Sequence, residues 1–141
     1  MYDTATVRET QAEPTASGRR VVNVAVWALQ VLLALMFAMA GLAKVSGDPA
    51  MVEMFATIGI GQWFRYVVGA LELAGAVGVL VPRLSGLAAL GLVWLMVGAT
   101  LTNLFVLGAS PLLPIGLLVT SAVVAWGRWL KIGTLAARIL R

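Results

Sequence analysis

The sequence predicts an all-α membrane protein: a bundle of four transmembrane helices, with a short interfacial helix between the first two and a basic amphipathic helix at the C-terminus. Three observations predict it. Of 141 residues, 61% are hydrophobic and only 11% charged, whereas a soluble domain carries about a quarter charged residues. Four apolar runs are each long enough to enter or cross a hydrocarbon core roughly 30 Å thick. The basic residues flank those runs, so the net charge of +4 reads as membrane topology and not as nucleic-acid binding. A chain of this size has room for one bundle and no separate soluble domain.

Residues 1–20 are polar and mixed in charge, with Pro14, Ser17 and Gly18 breaking any pattern. The expectation is a disordered tail that ends at Arg19-Arg20. The apolar run from Val21 to Ala43 is about 23 residues long, too long for the apolar core of an export signal and suited to a permanent span. Along it Asn23, Gln30, Phe37 and Lys44 recur every seven residues, with Ala34 and Gly41 on the same face. Seven residues are nearly two helical turns, so this stripe faces the bundle, where its amides bond across to neighbouring helices.

After Lys44, Asp48-Pro49 reads as an N-cap followed by proline at the first helical position. Met51, Met54, Phe55 and Ile58 then mark one face of a helix about three turns long, which Gly59 and Gly61 end. It is too short to span. It belongs on the membrane surface or folded over the bundle mouth. Trp63, Phe64 and Tyr66 form an aromatic belt at the start of the second span, which runs to Val81. Small residues (Gly69, Gly75 and Ala76 around Glu72, and separately Ala70, Ala74 and Gly78) let other helices approach closely, and they also leave room for self-association.

A turn at Pro82-Arg83-Leu84-Ser85 leads into the third span, Gly86 to about Leu107, with Thr100 and Asn103 near its end. The fourth covers roughly Leu112 to Trp126, with Pro114 in its first turn and Thr120-Ser121 inside. The membrane domain is thus 21–127. In 128–141, Arg128, Lys131, Arg138 and Arg141 alternate with Trp129, Leu130, Ile132, Leu135, Ile139 and Leu140, the pattern of a helix lying on an anionic membrane surface. With both termini inside, the cytoplasmic face collects Arg8, Arg19, Arg20, Arg83, Arg128, Lys131, Arg138 and Arg141, against Lys44 and Arg65 outside, so the expected topology is N-in and C-in. The excess of Arg over Lys and the wealth of Ala, Gly, Leu and Val suggest a GC-rich bacterial genome, hence a bacterial inner membrane.

No Cys and no His are present, which removes thiol–disulfide, haem–thiolate and iron–sulfur chemistry by this chain. Three of the six acids, Asp3, Glu9 and Glu13, lie in the tail, so no metal site is expected. Attention falls on Glu72, a carboxylate within a span, where a charge is costly unless paired or protonated. At about 1.5 Å per residue, Glu72, Thr120 and Ser121 lie roughly 12 Å below the outer end of their helices, Asn103 roughly 6 Å, and Thr100 one turn further in. Lys44, at the outer end of the first helix, can reach inward on its long stem, which makes it the natural partner of Glu72. Lys44, Glu72, Thr100, Asn103, Thr120 and Ser121, with Gln30 and Phe37 from the first-helix stripe, are the candidate polar pocket. Two readings compete for the pair. In one it fixes helix register; in the other Glu72 titrates or binds a cationic or hydroxylic group.

Phe37 and Gly41 with Lys44 resemble the F-x-x-x-G-x-x-K signature of the DoxX and DoxX-like membrane proteins. Gly69-Ala70-Leu71-Glu72-Leu73-Ala74-Gly75 resembles their G-x-x-E-L-x-G motif, followed by an apolar run and Pro82. The likeness covers roughly Val24 to Trp126. It implies a four-helix bundle in the cell membrane, often beside redox partners: one branch is linked to thiosulfate:quinone oxidoreduction, another to a membrane complex with superoxide dismutase and a sulfurtransferase. The third helix in that family often ends in a histidine near where Asn103 stands, and an amide cannot shuttle protons as imidazole does. The resulting expectation is a non-catalytic accessory or membrane-anchor subunit of a redox-linked complex, with an outer pocket for a quinone or similar amphiphile. Two other classes compete: a small proton-coupled transporter using Glu72, and a scaffold that anchors partners through its basic C-terminal helix.

Overall fold

The computed structural model describes residues 15–140, with the backbone alone at 130–136 and 138; the tail 1–14 and the side chains of Lys131, Arg138 and Arg141 lie outside the described residues. Five α-helices follow one another: α1 (Ala16–Ser46), α2 (Pro49–Ile58), α3 (Gln62–Leu80), α4 (Ser85–Thr102) and α5 (Leu112–Ile139). A π-helical segment, Asn103–Leu107, prolongs α4. Four of these stretches are long and apolar enough to cross a membrane. They run up, down, up and down, as short connections require. α1 packs on α3, α3 on α4 and α4 on α5, and a thinner α1–α5 contact closes the ring.

α1 starts five residues earlier than Val21, because Thr15 supplies an N-cap: its side chain accepts a hydrogen bond from Gly18 N. At 31 residues the helix is about 46 Å long, which exceeds the hydrocarbon thickness, so its first turns stand beyond the apolar layer or the helix tilts. The seven-residue stripe faces inward from Gln30 on: Gln30, Ala34, Phe37 and Gly41 are buried, together with Val26 and Leu33, whereas Asn23 is exposed. Gly47, in the left-handed region at φ 80°, ends the helix.

α2 has the expected construction. The Asp48 side chain accepts from Ala50 N, Pro49 takes the first helical position and Gly59 closes the helix in a left-handed conformation. Phe55 is its buried residue, in ring contact with Phe64 of α3. α2 packs on α3 and on the π-helical segment, so it lies across one end of the bundle.

The main departure from the sequence reading is at the C-terminus. α5 runs unbroken through Gly127 for 28 residues, so the fourth span and the start of the basic segment are one helix. Gly127 does not act as a breaker. It fits where α5 crosses α1, and a Cβ there would stand 3.2 Å from Val26 Cγ2.

The core joins Leu33, Ala34 and Phe37 of α1 to Ala76 and Val79 of α3, Ala89, Leu92 and Met96 of α4, and Val124 and Ala125 of α5. Large apolar side chains such as Val31, Leu35, Met39, Leu71, Val77, Trp94, Leu101 and Val119 point outward, as lipid contact requires. Lipid removes the hydrophobic drive between helices, so close backbone approach has to hold them. α1 and α3 meet that demand with glycines facing each other: a Cβ on Gly41 would stand 2.8 Å from Leu73 Cγ and 2.9 Å from the Gly69 carbonyl oxygen. On the other side of α3, a Cβ on Gly75 would meet Leu92 Cδ2 at 2.5 Å, and one on Gly78 would meet Ala88 Cβ at 2.7 Å.

Gly41→Ala and Gly69→Ala are therefore expected to destabilise the bundle by about 1–3 kcal/mol, the cost of overpacking. Gly98→Ala, which would meet nothing within 4 Å, should be neutral or gain up to about 1 kcal/mol from helix propensity. Thermal unfolding in detergent, followed by circular dichroism, checks this. Equal effects at Gly41 and Gly98 would refute the close-crossing account.

Candidate functional site

The polar side chains form two nodes at opposite ends of the bundle. At the α2 end, the Gly41–Gly69 crossing sets the Lys44 stem against α3, where a Cβ on Gly69 would lie 3.0 Å from Lys44 Cβ. From there the stem runs one turn deeper, and Nζ sits 2.9 Å from Glu72 Oε2. The side chains are 13% and 4% exposed, so this ion pair is shielded from solvent on nearly every side. At that distance the ammonium is also the hydrogen-bond donor to Oε2, and no second donor to Oε2 is found among the described residues. The inward-reaching lysine expected from the sequence is what is found.

Arg65, one of the two expected outer-loop charges, is also buried, at 4% exposure. Its position is seven residues before Glu72, hence on the same face of α3. Its Nη1 donates to the Lys44 carbonyl, one of the carbonyls a helix C-terminus leaves unbonded. Its Nε donates to Gln62 Oε1 at 2.8 Å, Gln62 Nε2 donates to the Val52 carbonyl of α2 at 3.0 Å, and the guanidinium stacks 4.3 Å from the Tyr66 ring. Arg65 thus fastens α3 to the end of α1 and, through Gln62, to α2.

The other candidates at this end bond locally. Thr100 Oγ1 donates to Met96 O, Thr120 Oγ1 to Gly116 O and Ser121 Oγ to Leu117 O, each four residues back on its own helix. Asn103 Nδ2 donates to Ser110 O at 2.9 Å, and the Asn103 carbonyl accepts from Ala109 N, so this residue clamps the connection into α5. None of these bonds joins Glu72. Phe37 is fully buried in the apolar core.

At the opposite end, Gln30 is fully buried and bridges three helices. Its Nε2 donates to the Val79 carbonyl of α3, and its Oε1 accepts from Arg128 Nε at 2.8 Å and Nη2 at 2.6 Å. Arg128 Nη1 donates to Asn23 Oδ1 at 2.9 Å, and its guanidinium lies 5.6 Å from the Trp27 ring. Arg128 is 5% exposed. It had been assigned to a basic surface face, and the structure corrects this: Arg128 is an inward-facing member of the α1–α3–α5 node. Two signals in the sequence pointed there. Arg128 stands seven residues after Ser121, on the buried face of α5, and Asn23 and Gln30 form a two-amide stripe that needs a donor.

The sequence profile of the DoxX-like family matches residues 28–126. The chain belongs to the DoxX-like family. No curated protein and no solved structure matches it. The residues that carry the resemblance to the family's motifs, Gly41 and Lys44 on α1 and Gly69, Glu72 and Gly75 on α3, have concrete tasks in this fold. Gly41 and Gly69 make the α1–α3 crossing, Lys44 and Glu72 pair across it, and Gly75 admits Leu92 of α4.

Removing one partner of a buried ion pair leaves an uncompensated charge, so Lys44→Met and Glu72→Gln are each expected to cost about 3–5 kcal/mol. The double variant Lys44→Met/Glu72→Leu should recover most of that loss, because an apolar replacement of both partners is close to neutral. Additive effects in this cycle, measured by thermal unfolding in one detergent, would show that the two residues are not coupled.

Proposed function

We propose that this DoxX-like protein is a non-catalytic accessory or anchor subunit of a redox-linked complex in a bacterial inner membrane, with both termini cytoplasmic. Lys44 and Glu72 bind the headgroup of a quinone or similar amphiphile. The observation that carries the reading is the buried ion pair itself: Lys44 Nζ lies 2.9 Å from Glu72 Oε2, with the two side chains only 13% and 4% exposed. A quinone carbonyl takes a hydrogen bond from an ammonium, and a quinol hydroxyl gives one to a carboxylate, so this pair offers both complements inside an apolar wall. A chain without Cys or His has no ready nucleophile or imidazole base, which favours binding over turnover. The orientation rests on Arg19, Arg20, Arg83 and Arg128 falling at one end of the bundle, the end expected to face the cytoplasm.

Purification in mild detergent, followed by quinone extraction and identification of co-purifying proteins, tests this. Bound quinone and a redox partner are expected, with quinone lost in Glu72→Gln and Lys44→Met. A clean protein with neither overturns the reading. The transporter alternative is checked in proteoliposomes. A paired carboxylate has no charge free for a cationic substrate, so proton flux should be absent; flux abolished by Glu72→Gln would establish transport instead.

A further inference from the structure

The Arg128 node differs from the Lys44 node in one respect: its charge has no counter-charge among the described residues. The described carboxylates, Asp48, Glu53 and Glu72, lie on α2 and its N-cap or on the Lys44 side of α3, and none of them pairs with Arg128. Asn23 and Gln30 are neutral amides. They accept three of the five N–H donors of the guanidinium, which leaves one on Nη1 and one on Nη2 without an acceptor among the described residues. A desolvated cation held only by amides is costly, and an anion within reach would offset much of that cost.

Beside it is an open cleft of about 330 Å³ between the start of α1 and the end of α5, lined by Gly18, Arg19, Val22, Asn23, Val26, Gly127 and Arg128. A second cation, Arg19, is on its rim. The first turn of α1 adds the positive end of a helix dipole at Gly18. The remaining wall is apolar, Val22 and Val26, and continues onto the exposed Val21 and Val24 of α1. The cleft's level in the membrane follows from α5, where Arg128 stands between the exposed Trp126 and Trp129. Tryptophan at a span end marks the headgroup layer.

We infer that this cleft is a binding site for an anionic phospholipid, whose phosphate is held by Arg128 while an acyl chain lies along Val22 and Val26. Phosphate oxygens match the two remaining guanidinium donors, and the apolar strip selects a lipid over free phosphate. The inference stands on other residues than the Lys44–Glu72 reading and is independent of it.

The test uses the full chain in detergent, titrated with phosphatidylglycerol or with phosphatidylcholine and read by native mass spectrometry and thermal midpoint. Phosphatidylglycerol should bind and raise the midpoint, phosphatidylcholine should bind about tenfold more weakly, and Arg128→Gln should remove that selectivity, as expected for losing a charge-assisted bond. Arg128→Gln also breaks the α1–α5 link, so Val22→Trp serves as the second variant. It fills the cleft from an exposed position, leaves the Arg128 bonds in place, and should abolish phosphatidylglycerol binding without loss of fold. Undiminished binding in Val22→Trp, or no preference between the two lipids, overturns the proposal. Equal stabilisation by inorganic phosphate overturns the lipid source. If neutralising Glu9 and Glu13 destabilises the lipid-free protein as much as Arg128→Gln does, the anion is the chain's own tail and the proposal falls.

Discussion

A membrane-embedded charge can be kept only if its partner comes to it, and the α1–α3 crossing is built around that constraint. Lys44 begins near the end of α1 and Glu72 lies well inside α3, so the stem must run along α3 before the charges meet. It can do so only where the backbones nearly touch. Gly41 and Gly69 bring them that close: a Cβ on either would fall within 3.0 Å of the opposite helix. The dependence is mutual. Small residues allow several registers between two helices, and a buried charge pair admits one, because a slip of one turn would strand both charges in hydrocarbon. Arg65 reinforces that register by bonding the Lys44 carbonyl at the same crossing.

The second node solves a different problem. Packing is extensive between α1 and α3 and between α4 and α5, but thin between α1 and α5, where the ring has to close. Apolar contact there would gain little over contact with lipid, so a polar link has more effect. Gln30 provides it by bonding the Val79 carbonyl of α3 and the Arg128 guanidinium of α5 from one amide. Asn23 repeats the bond to α5 two turns earlier. α1 is thus the helix both nodes share, which fits its long stripe of Asn23, Gln30, Phe37 and Lys44.

What could be read from the sequence follows from how local each cause is. The helices, the Asp48-Pro49 start of α2 and the inward face of α1 depend on spacing within one segment, and they stand where spacing puts them. The Lys44–Glu72 pair was legible because intramembrane charges are few and topology placed these two in the same half. Arg128 was misassigned because its segment has the composition of a surface helix. The crossing of α1 at Gly127 turns Arg128 inward, and a crossing is a tertiary fact. The hydroxyls of Thr100, Thr120 and Ser121 were read as convergent, whereas in a helix a hydroxyl can always bond the carbonyl four residues back, and each of these does.

The contrast between the nodes bears on what the bundle can do. At the α2 end, cation and carboxylate neutralise each other in a pair that is almost wholly buried. At the other end, a guanidinium faces an open cleft with no carboxylate among the described residues, and the capacity left over is positive charge, which suits a phosphate. The two polar nodes are thus chemically distinct and lie at opposite ends of the bundle. Transport would need one site that faces each side in turn. Here Gln30 ties α1, α3 and α5 together at the Arg128 node, and the Gly41–Gly69 crossing holds α1 against α3 beside Glu72.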